Sequence, residues 1–119
     1  MVLVVEDEPN LRVVYSHALS KAGFTVDTVG DGLEALWRII DAPPDIVVLD
    51  LGLPGMRGER ILNELANDSR ARDIPVIVAT GDAVLPKLEV EAVLRKPFRL
   101  QQLVEAVTHV SRGVRLQTR

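Results

Sequence analysis

The sequence contains no cysteine and only two histidines, His17 and His109, which lie far apart along the chain. Disulfide bonds and thiolate metal sites are therefore excluded, and so is a zinc site built from several histidines. Aromatic residues make up only 3% of the chain, too few for a platform on which nucleic acid bases could stack. No apolar run exceeds five residues, whereas a membrane helix needs about 20, so we expect no membrane-spanning segment.

Composition and charge are those of one globular domain. Of the 119 residues, 47% are hydrophobic and 26% are charged, and the formal net charge is −3, which is a balance typical of a domain with its own core. The slight acidity argues against direct binding to nucleic acid. No basic segment precedes the first apolar run, so the sequence shows no secretory signal, and we expect a cytoplasmic location.

Short apolar runs alternate with stretches of helical periodicity. The candidate strands are 2–5, 24–29, 46–49, 74–79 and 90–94. Between them, apolar residues recur every three or four positions, which indicates amphipathic helices, and Asp31 with Glu34 resembles a capping box at the start of the second helix. The alternation predicts an α/β fold with a parallel sheet between two layers of helices. We assign residues 1–112 to one domain and expect the polar, basic residues 113–119 to fray.

Polar side chains follow four of the candidate strands: Glu6 with Asp7, then Asp50, Thr80 and Lys96. In a doubly wound parallel sheet these strand ends share one edge, which is where such folds bind ligands. Carboxylates brought together there repel one another, and a divalent cation relieves the repulsion. Oxygen ligands that leave room for water favour Mg²⁺. A lysine and a hydroxyl group opposite the acids are suited to hold a phosphoryl group.

Taken together, these residues and their spacing resemble the receiver domain of two-component response regulators, over nearly the whole chain. The matching motifs are VLVVEDEP at 2–9, PDIVVLDL at 44–51, LPGM at 53–56 with Gly58, PVIVAT at 75–80 and KPF at 96–98. The resemblance implies a flavodoxin-like, doubly wound α/β fold, with five parallel strands in the order 2-1-3-4-5 and five flanking helices.

The resemblance also implies roles for the acids. Asp50 would be the phosphoacceptor, taking a phosphoryl group from a sensor histidine kinase or a histidine phosphotransfer protein. Asp7 and Asp50 would bind Mg²⁺ directly, together with the backbone carbonyl of Gly52. Glu6 stands at a position where aspartate is commoner in the family, and its longer side chain would act on the metal through water.

Two further strand-end residues have implied roles toward the phosphoryl group. Thr80 would donate a hydrogen bond to it, and Lys96 would pair with it. The resemblance implies a cis peptide bond between Lys96 and Pro97. Outside proline such a bond is rare, and even before proline it is a minority state.

The sequence departs from the family between Thr80 and Lys96, where it is several residues short. The missing residues belong to the family's fourth helix, which we expect to be shortened or irregular here. We further expect residues 81–87 to become ordered around the phosphoryl group when the domain is phosphorylated. Val93 replaces an aromatic residue whose ring turns inward in phosphorylated relatives. Both departures lie on the face through which receivers signal or dimerise.

The first helix has more apolar positions than packing against a sheet requires. The positions predicted to face the core are Tyr15, Leu19 and Ala22. Those left as an exposed edge near the acids are Leu11, Val14 and Ala18, although one broad buried stripe is the alternative. The resemblance favours the exposed edge, because kinases dock there in the family. A monomer and a homodimer both stay open.

Two other functions compete with the phosphoacceptor. A phosphatase of the haloacid dehalogenase type also uses an aspartate at a strand end, but it needs a second aspartate two residues later, where this chain has Gly52. A pseudo-receiver would be an interaction module that is never phosphorylated, yet such modules usually lose an acid, the acceptor or the lysine. We therefore expect a receiver that is no enzyme beyond catalysing its own phosphorylation and autodephosphorylation.

Overall fold

A computed structural model describes residues 1–81 and 90–116, with only the backbone for 114–116. It contains a five-stranded parallel sheet in the order β2-β1-β3-β4-β5, as predicted. The strands are β1 (Val2–Val5), β2 (Val26–Val29), β3 (Ile46–Asp50), β4 (Val76–Thr80) and β5 (Ala92–Arg95). The helices in the described ranges are α1 (Pro9–Lys21), α2 (Gly32–Asp41), α3 (Gly58–Ala66) and α4 (Leu100–Leu116).

The burial of each strand follows its sequence pattern. The solid apolar runs form β1, β3 and β4, the three inner strands, and every residue in them is buried. The outer strands β2 and β5 alternate between more and less exposed residues, because each has a neighbour on one side only. The sheet separates two core clusters, which are covered by helices. One cluster is centred on Leu49 and Ile61 and the other on Leu19 and Leu103.

Helix starts are stabilised by acidic side chains. Asp31 Oδ2 accepts a hydrogen bond from the Glu34 amide at 2.9 Å, which confirms the predicted start of α2. The carboxylate of Glu8 caps α1 by accepting bonds from the amides of Asn10 and Leu11 at 3.3 and 3.1 Å. Each cap satisfies amides that have no partner within the helix.

One predicted core position of α1 is wrong. Tyr15 and Leu19 are buried as expected, but Ala22 is exposed. Ala22 is the C-terminal cap of the helix, and Gly23 follows in the left-handed region with φ of +99°, so the chain turns away from the sheet before Ala22 can pack. The broad buried stripe is wrong as well, because the side chain of Val14 is 41% exposed, while Leu11 and Ala18 are half-buried.

The last helix extends past residue 112, the predicted end of the domain. Residues 113–116 lie within α4, and the rest of the segment predicted to fray, 117–119, lies outside the described residues. The predicted changes in the family's fourth helix, and most of the segment predicted to order on phosphorylation, lie in 82–89, outside the described residues.

Helix α2 presents an apolar outer face. Its inner side buries Leu36 and Ile39, whereas Leu33 and Trp37 are 53% and 69% exposed. These two residues are four positions apart and so lie next to each other on the helix surface. Within the described ranges, no helix has both the length and the apolar character that crossing a bilayer demands.

Candidate functional site

The predicted acids meet at the carboxyl edge of the sheet. β1 and β3 are adjacent and paired in register, Val5 opposite Leu49, so the residues that follow them emerge side by side. Glu6 and Asp7 begin the loop after β1, and Asp50 ends β3. Each of the three offers a carboxylate oxygen, and these oxygens lie within 4.8 Å of one another. Glu6 and Asp50 are buried, while Asp7 is exposed.

Both carboxylate oxygens of Glu6 have protein partners. Oε1 lies 2.6 Å from Lys96 Nζ, and Oε2 accepts a hydrogen bond from the Glu8 amide at 3.1 Å. Burial raises the pKa of Glu6 above its ordinary value of 4.5, because lost hydration outweighs these hydrogen bonds. The Glu6 side chain thus reaches from the end of β1 to Lys96, which follows β5.

Asp50 has two differently placed oxygens. Oδ1 accepts a hydrogen bond from the Gly52 amide at 2.9 Å, which orients the carboxylate. Oδ2 lies 3.5 Å from Lys96 Nζ, an ion-pair distance that exceeds a good hydrogen bond. Lys96 thus pairs more closely with Glu6 than with Asp50, although it faces both.

Thr80 and Lys96 are joined through the backbone. The Lys96 amide donates to the Thr80 carbonyl at 2.7 Å, which brings the end of β4 next to the loop after β5. Thr80 is almost completely buried. The Lys96–Pro97 peptide bond is cis, as expected. The structure therefore brings all five predicted side chains to one edge.

The acidic neighbours of Lys96 stabilise its charged form. Burial alone would lower the pKa of Lys96, but the hydrogen bond to Glu6 and the charge of Asp50 outweigh it, so this pKa lies above its ordinary 10.5. The raised pKa of Glu6 means that folding disfavours its charged form, whereas the raised pKa of Lys96 means that folding favours its charged form. The difference follows from exposure, because the Glu6 side chain is 3% exposed and that of Lys96 is 24% exposed.

Replacing Lys96 with methionine is expected to lower the free energy of unfolding at pH 7.5 by about 2 kcal/mol, less than for a fully buried pair. Folding raises the pKa of Lys96, so the stability it provides is present below pH 10.5 and lost as the pH rises through the folded value. Folding also raises the pKa of Glu6, so the cost of its charge grows as the pH rises above 4.5 and is complete above the folded value. Lys96→Met should therefore cost less at pH 4.5 than at pH 7.5.

Urea unfolding followed by circular dichroism, without Mg²⁺, measures this difference. Lys21→Met is the control, because it removes the same charge from an exposed position in the last turn of α1. That control should cost about 0.5 kcal/mol at both pH values. A loss for Lys96→Met that is as large at pH 4.5 as at pH 7.5 would contradict the role given to Glu6.

The donor set suits a small, hard divalent cation. Carboxylate oxygens within 4.8 Å of one another match the preference of Mg²⁺ for a few carboxylates and several waters. Asp7 is exposed and has its oxygens available, whereas both oxygens of Glu6 are engaged by Lys96 and Glu8. This arrangement fits a direct role for Asp7 and a water-mediated role for Glu6.

One residue of the site was not predicted from the sequence. Arg12, in the first turns of α1, donates from a single atom, Nη1, to the carbonyls of Glu6 and Asp7 at 2.8 and 3.0 Å. Because the side chain returns over the loop between β1 and α1, it contacts the backbone that carries both acids. A basic residue five positions after Asp7 was the available signal, but its direction is set by the tertiary structure.

An apolar groove opens beside the acidic edge. It encloses about 470 Å³ between α1 and the loop from β5 to α4. Its floor includes the stacked rings of Tyr15 and Phe98, whose centroids are 5.5 Å apart. The lining residues are Leu11, Val14, Tyr15, Lys96, Pro97, Phe98 and Leu100. Two of the three residues predicted as a docking edge, Leu11 and Val14, line this groove.

Comparison with protein families and curated proteins gives consistent matches. The family model of the response regulator receiver domain matches residues 2–108. The DNA-binding response regulator MtrA of Mycolicibacterium smegmatis is 36% identical over 112 residues, which are 89% of this chain and 48% of that protein. The two-component response regulator PhoP of Pseudomonas aeruginosa is 41% identical over 80 residues, 67% of this chain and 36% of that protein. The chain thus spans about half the length or less of these relatives.

Solved structures match the fold closely. The chemotaxis response regulator CheY4 of Vibrio cholerae superposes with a TM-score of 0.84 at 29% identity, covering 92% of this chain and 96% of that one. The N-terminal domain of a response regulator receiver protein from Methanoculleus marisnigri gives a TM-score of 0.74 at 33% identity, with 92% and 94% covered. Both similarities cover more than nine tenths of this chain.

Proposed function

The chain belongs to the response regulator receiver domains of two-component systems, and from this membership we propose that it is a phosphoacceptor that uses Asp50 and Mg²⁺. The observation that carries the proposal is the environment of Asp50. Its Oδ1 is held by the Gly52 amide, and its Oδ2 faces a lysine beside two further acids. Each oxygen of Asp50 is thus oriented by a neighbouring group of the site.

The chemistry is a transfer of one phosphoryl group. An oxygen of Asp50 attacks phosphorus, a P–O bond forms, and the P–N bond to the donor histidine breaks, so the electron pair of that bond stays on the imidazole. In this proposal Lys96 and Thr80 stabilise the incoming phosphoryl oxygens. When bound, Mg²⁺ neutralises negative charge on those oxygens. Glu6 keeps Lys96 in place until the phosphoryl group competes for it.

The test is incubation with acetyl phosphate and Mg²⁺, followed by intact mass measurement. A receiver gains the mass of one phosphoryl group, at a rate that depends on Mg²⁺, and then loses it slowly. A pseudo-receiver gains none, and a phosphatase releases inorganic phosphate continuously without retaining it. The last two outcomes would each overturn the proposal. The presence of Asp50, Thr80 and Lys96 at one edge favours the first.

The phosphodonor partner is proposed to be a sensor histidine kinase or a histidine phosphotransfer protein that docks on α1. Val14 is 41% exposed, and the groove it shares with Leu11 and Phe98 leads from α1 to Lys96. An apolar helix of the partner that fills this groove would bring its phosphorylated histidine toward Asp50. Ala18 lies one turn farther along α1 and outside the groove lining.

Val14→Asp is expected to reduce the rate of phosphotransfer from a kinase about tenfold without changing phosphorylation by acetyl phosphate. The reason is that a charge in the groove opposes burial of an apolar partner, whereas the small donor needs no docking surface. The matched control is Val13→Asp, because Val13 is the neighbouring residue, is 69% exposed and does not line the groove. The assay uses any phosphorylated histidine kinase that modifies the wild-type chain, and equal effects of the two variants would contradict the docking proposal.

A further inference from the structure

Arg12 links three segments that meet beside the acidic site. Its Nη1 atom donates to the carbonyls of Glu6 and Asp7 at 2.8 and 3.0 Å, and α1 supplies the side chain from the other end of the loop. The same guanidinium lies against Gly30, the residue after β2. One cation therefore contacts the backbone of both acids in this loop.

The space for this contact depends on Gly30. A methyl group built at Gly30 would overlap Nη1 of Arg12, and its other near neighbours are atoms of the same guanidinium. Gly30 does not have a positive φ, so its backbone conformation is open to alanine. The Arg12 side chain occupies the space that a side chain at residue 30 would need, which explains the glycine at this position.

We propose that Arg12 is a positioning residue, which holds the loop after β1 so that the Asp7 carboxylate faces Asp50 and can bind a divalent cation together with it. The proposal rests on the function proposed above only in taking Asp7 as a metal ligand. Three successive residues, Glu6, Asp7 and Glu8, are acidic, and their mutual repulsion favours an open loop. Two charge-assisted bonds from one guanidinium to adjacent carbonyls oppose that opening.

The sign of the effect separates positioning from simple electrostatics. Removing a positive charge near the acids makes the site more negative, so electrostatics alone predicts tighter Mg²⁺ binding in Arg12→Ala. Positioning predicts weaker binding, by about tenfold, as is typical when a residue that supports a metal ligand is removed. The measurement is an NMR titration of the full chain with MgCl₂ at constant ionic strength, read on the amides of the loop. Arg70→Ala is the control, because Arg70 is an exposed arginine whose bonds go to Asp68.

Gly30→Ala tests the same contact while leaving the charge in place. The added methyl group displaces the end of a flexible side chain, so the melting temperature should stay close to that of the wild type, while Mg²⁺ binding should weaken in the same direction as in Arg12→Ala. In the double variant, Gly30→Ala should add nothing to the loss caused by Arg12→Ala, because the two act through one contact. Arg12→Lys, which keeps a cation on a shorter reach, should recover part of the affinity.

Each result of these titrations either supports or overturns the role of Arg12. Weaker Mg²⁺ binding in Arg12→Ala and Gly30→Ala, a non-additive double variant and an unchanged Arg70→Ala support the proposal. Unchanged or tighter binding in Arg12→Ala, or additive losses, overturn it, as does a wild-type chain that binds no Mg²⁺. Because the titration uses unphosphorylated protein, failure of Asp50 to accept a phosphoryl group would overturn the proposed function and leave this result intact.

Discussion

Asp50→Asn is expected to take up no phosphoryl group from acetyl phosphate under conditions in which the wild-type chain is modified. The amide is nearly the same size as the carboxylate, and its oxygen can still accept the hydrogen bond that the Gly52 amide donates to Oδ1. What it lacks is the negatively charged oxygen that attacks phosphorus, so the loss should be complete. Intact mass after incubation with the donor and Mg²⁺ measures the result.

The control for this variant is Asp41→Asn, which makes the same chemical change at an exposed residue at the end of α2. That protein should be modified at the wild-type rate. Circular dichroism should show both variants folded, because Asp50→Asn removes one of three neighbouring carboxylates. Normal uptake by Asp50→Asn would show that another side chain is the acceptor, and the assignment would be wrong.

Loss of Asp7 should weaken Mg²⁺ binding more than loss of Glu6. With few protein ligands, we expect wild-type affinity in roughly the millimolar range. Asp7→Asn removes an exposed carboxylate that is free to bind the ion directly, and a weakening of about 100-fold, or ~2.7 kcal/mol, is expected. Glu6→Gln removes a charge whose two oxygens already face Lys96 and the Glu8 amide, and a weakening of about tenfold is expected.

Amide chemical shifts in an NMR titration at constant ionic strength distinguish these two losses. The matched control is Glu105→Gln, because Glu105 is an exposed glutamate on α4 whose carboxylate accepts a hydrogen bond from the Gln101 side chain. This variant should leave the affinity unchanged. If Asp7→Asn and Glu6→Gln weaken binding equally, the distinction between a direct and a water-mediated ligand is wrong.

Sequence patterns predicted the site well because a parallel sheet brings residues from distant parts of the chain to one edge. Three apolar runs with no polar interruption can only be inner strands, and parallel strands place their carboxyl ends together. Asp7, Asp50 and Lys96, far apart in the chain, therefore had to converge once β1, β3 and β5 were recognised.

What could not be predicted depended on the direction of single side chains. The pairing of Lys96 with Glu6 more closely than with Asp50 follows from the extra length of glutamate in a folded geometry. Arg12 returns toward the loop because Gly30 leaves space for it, and no local pattern contains that information. Ala22 continues the apolar periodicity of α1, yet the cap geometry turns it outward.

Val93 shows how much the departure from the family matters. It lies on β5, the outer strand, and is 40% exposed. A valine there has no ring to turn toward the space beside Thr80, so a signal that depends on such a rotation is unavailable to this chain. If Asp50 accepts a phosphoryl group as proposed, the response to it must involve other residues near Thr80.

The exposed position of Trp37 determines how well tryptophan fluorescence can report the unfolding of this domain. It is the only tryptophan in the chain, and with 69% of its surface in water the indole is already in a polar solvent before the chain unfolds. Its emission maximum should therefore shift little on denaturation, and a fluorescence trace would understate the transition. A tryptophan substituted for the buried Tyr15 or the half-buried Phe98, where the rings stack, would instead place a fluorophore whose emission wavelength changes when the groove beside Lys96 is filled.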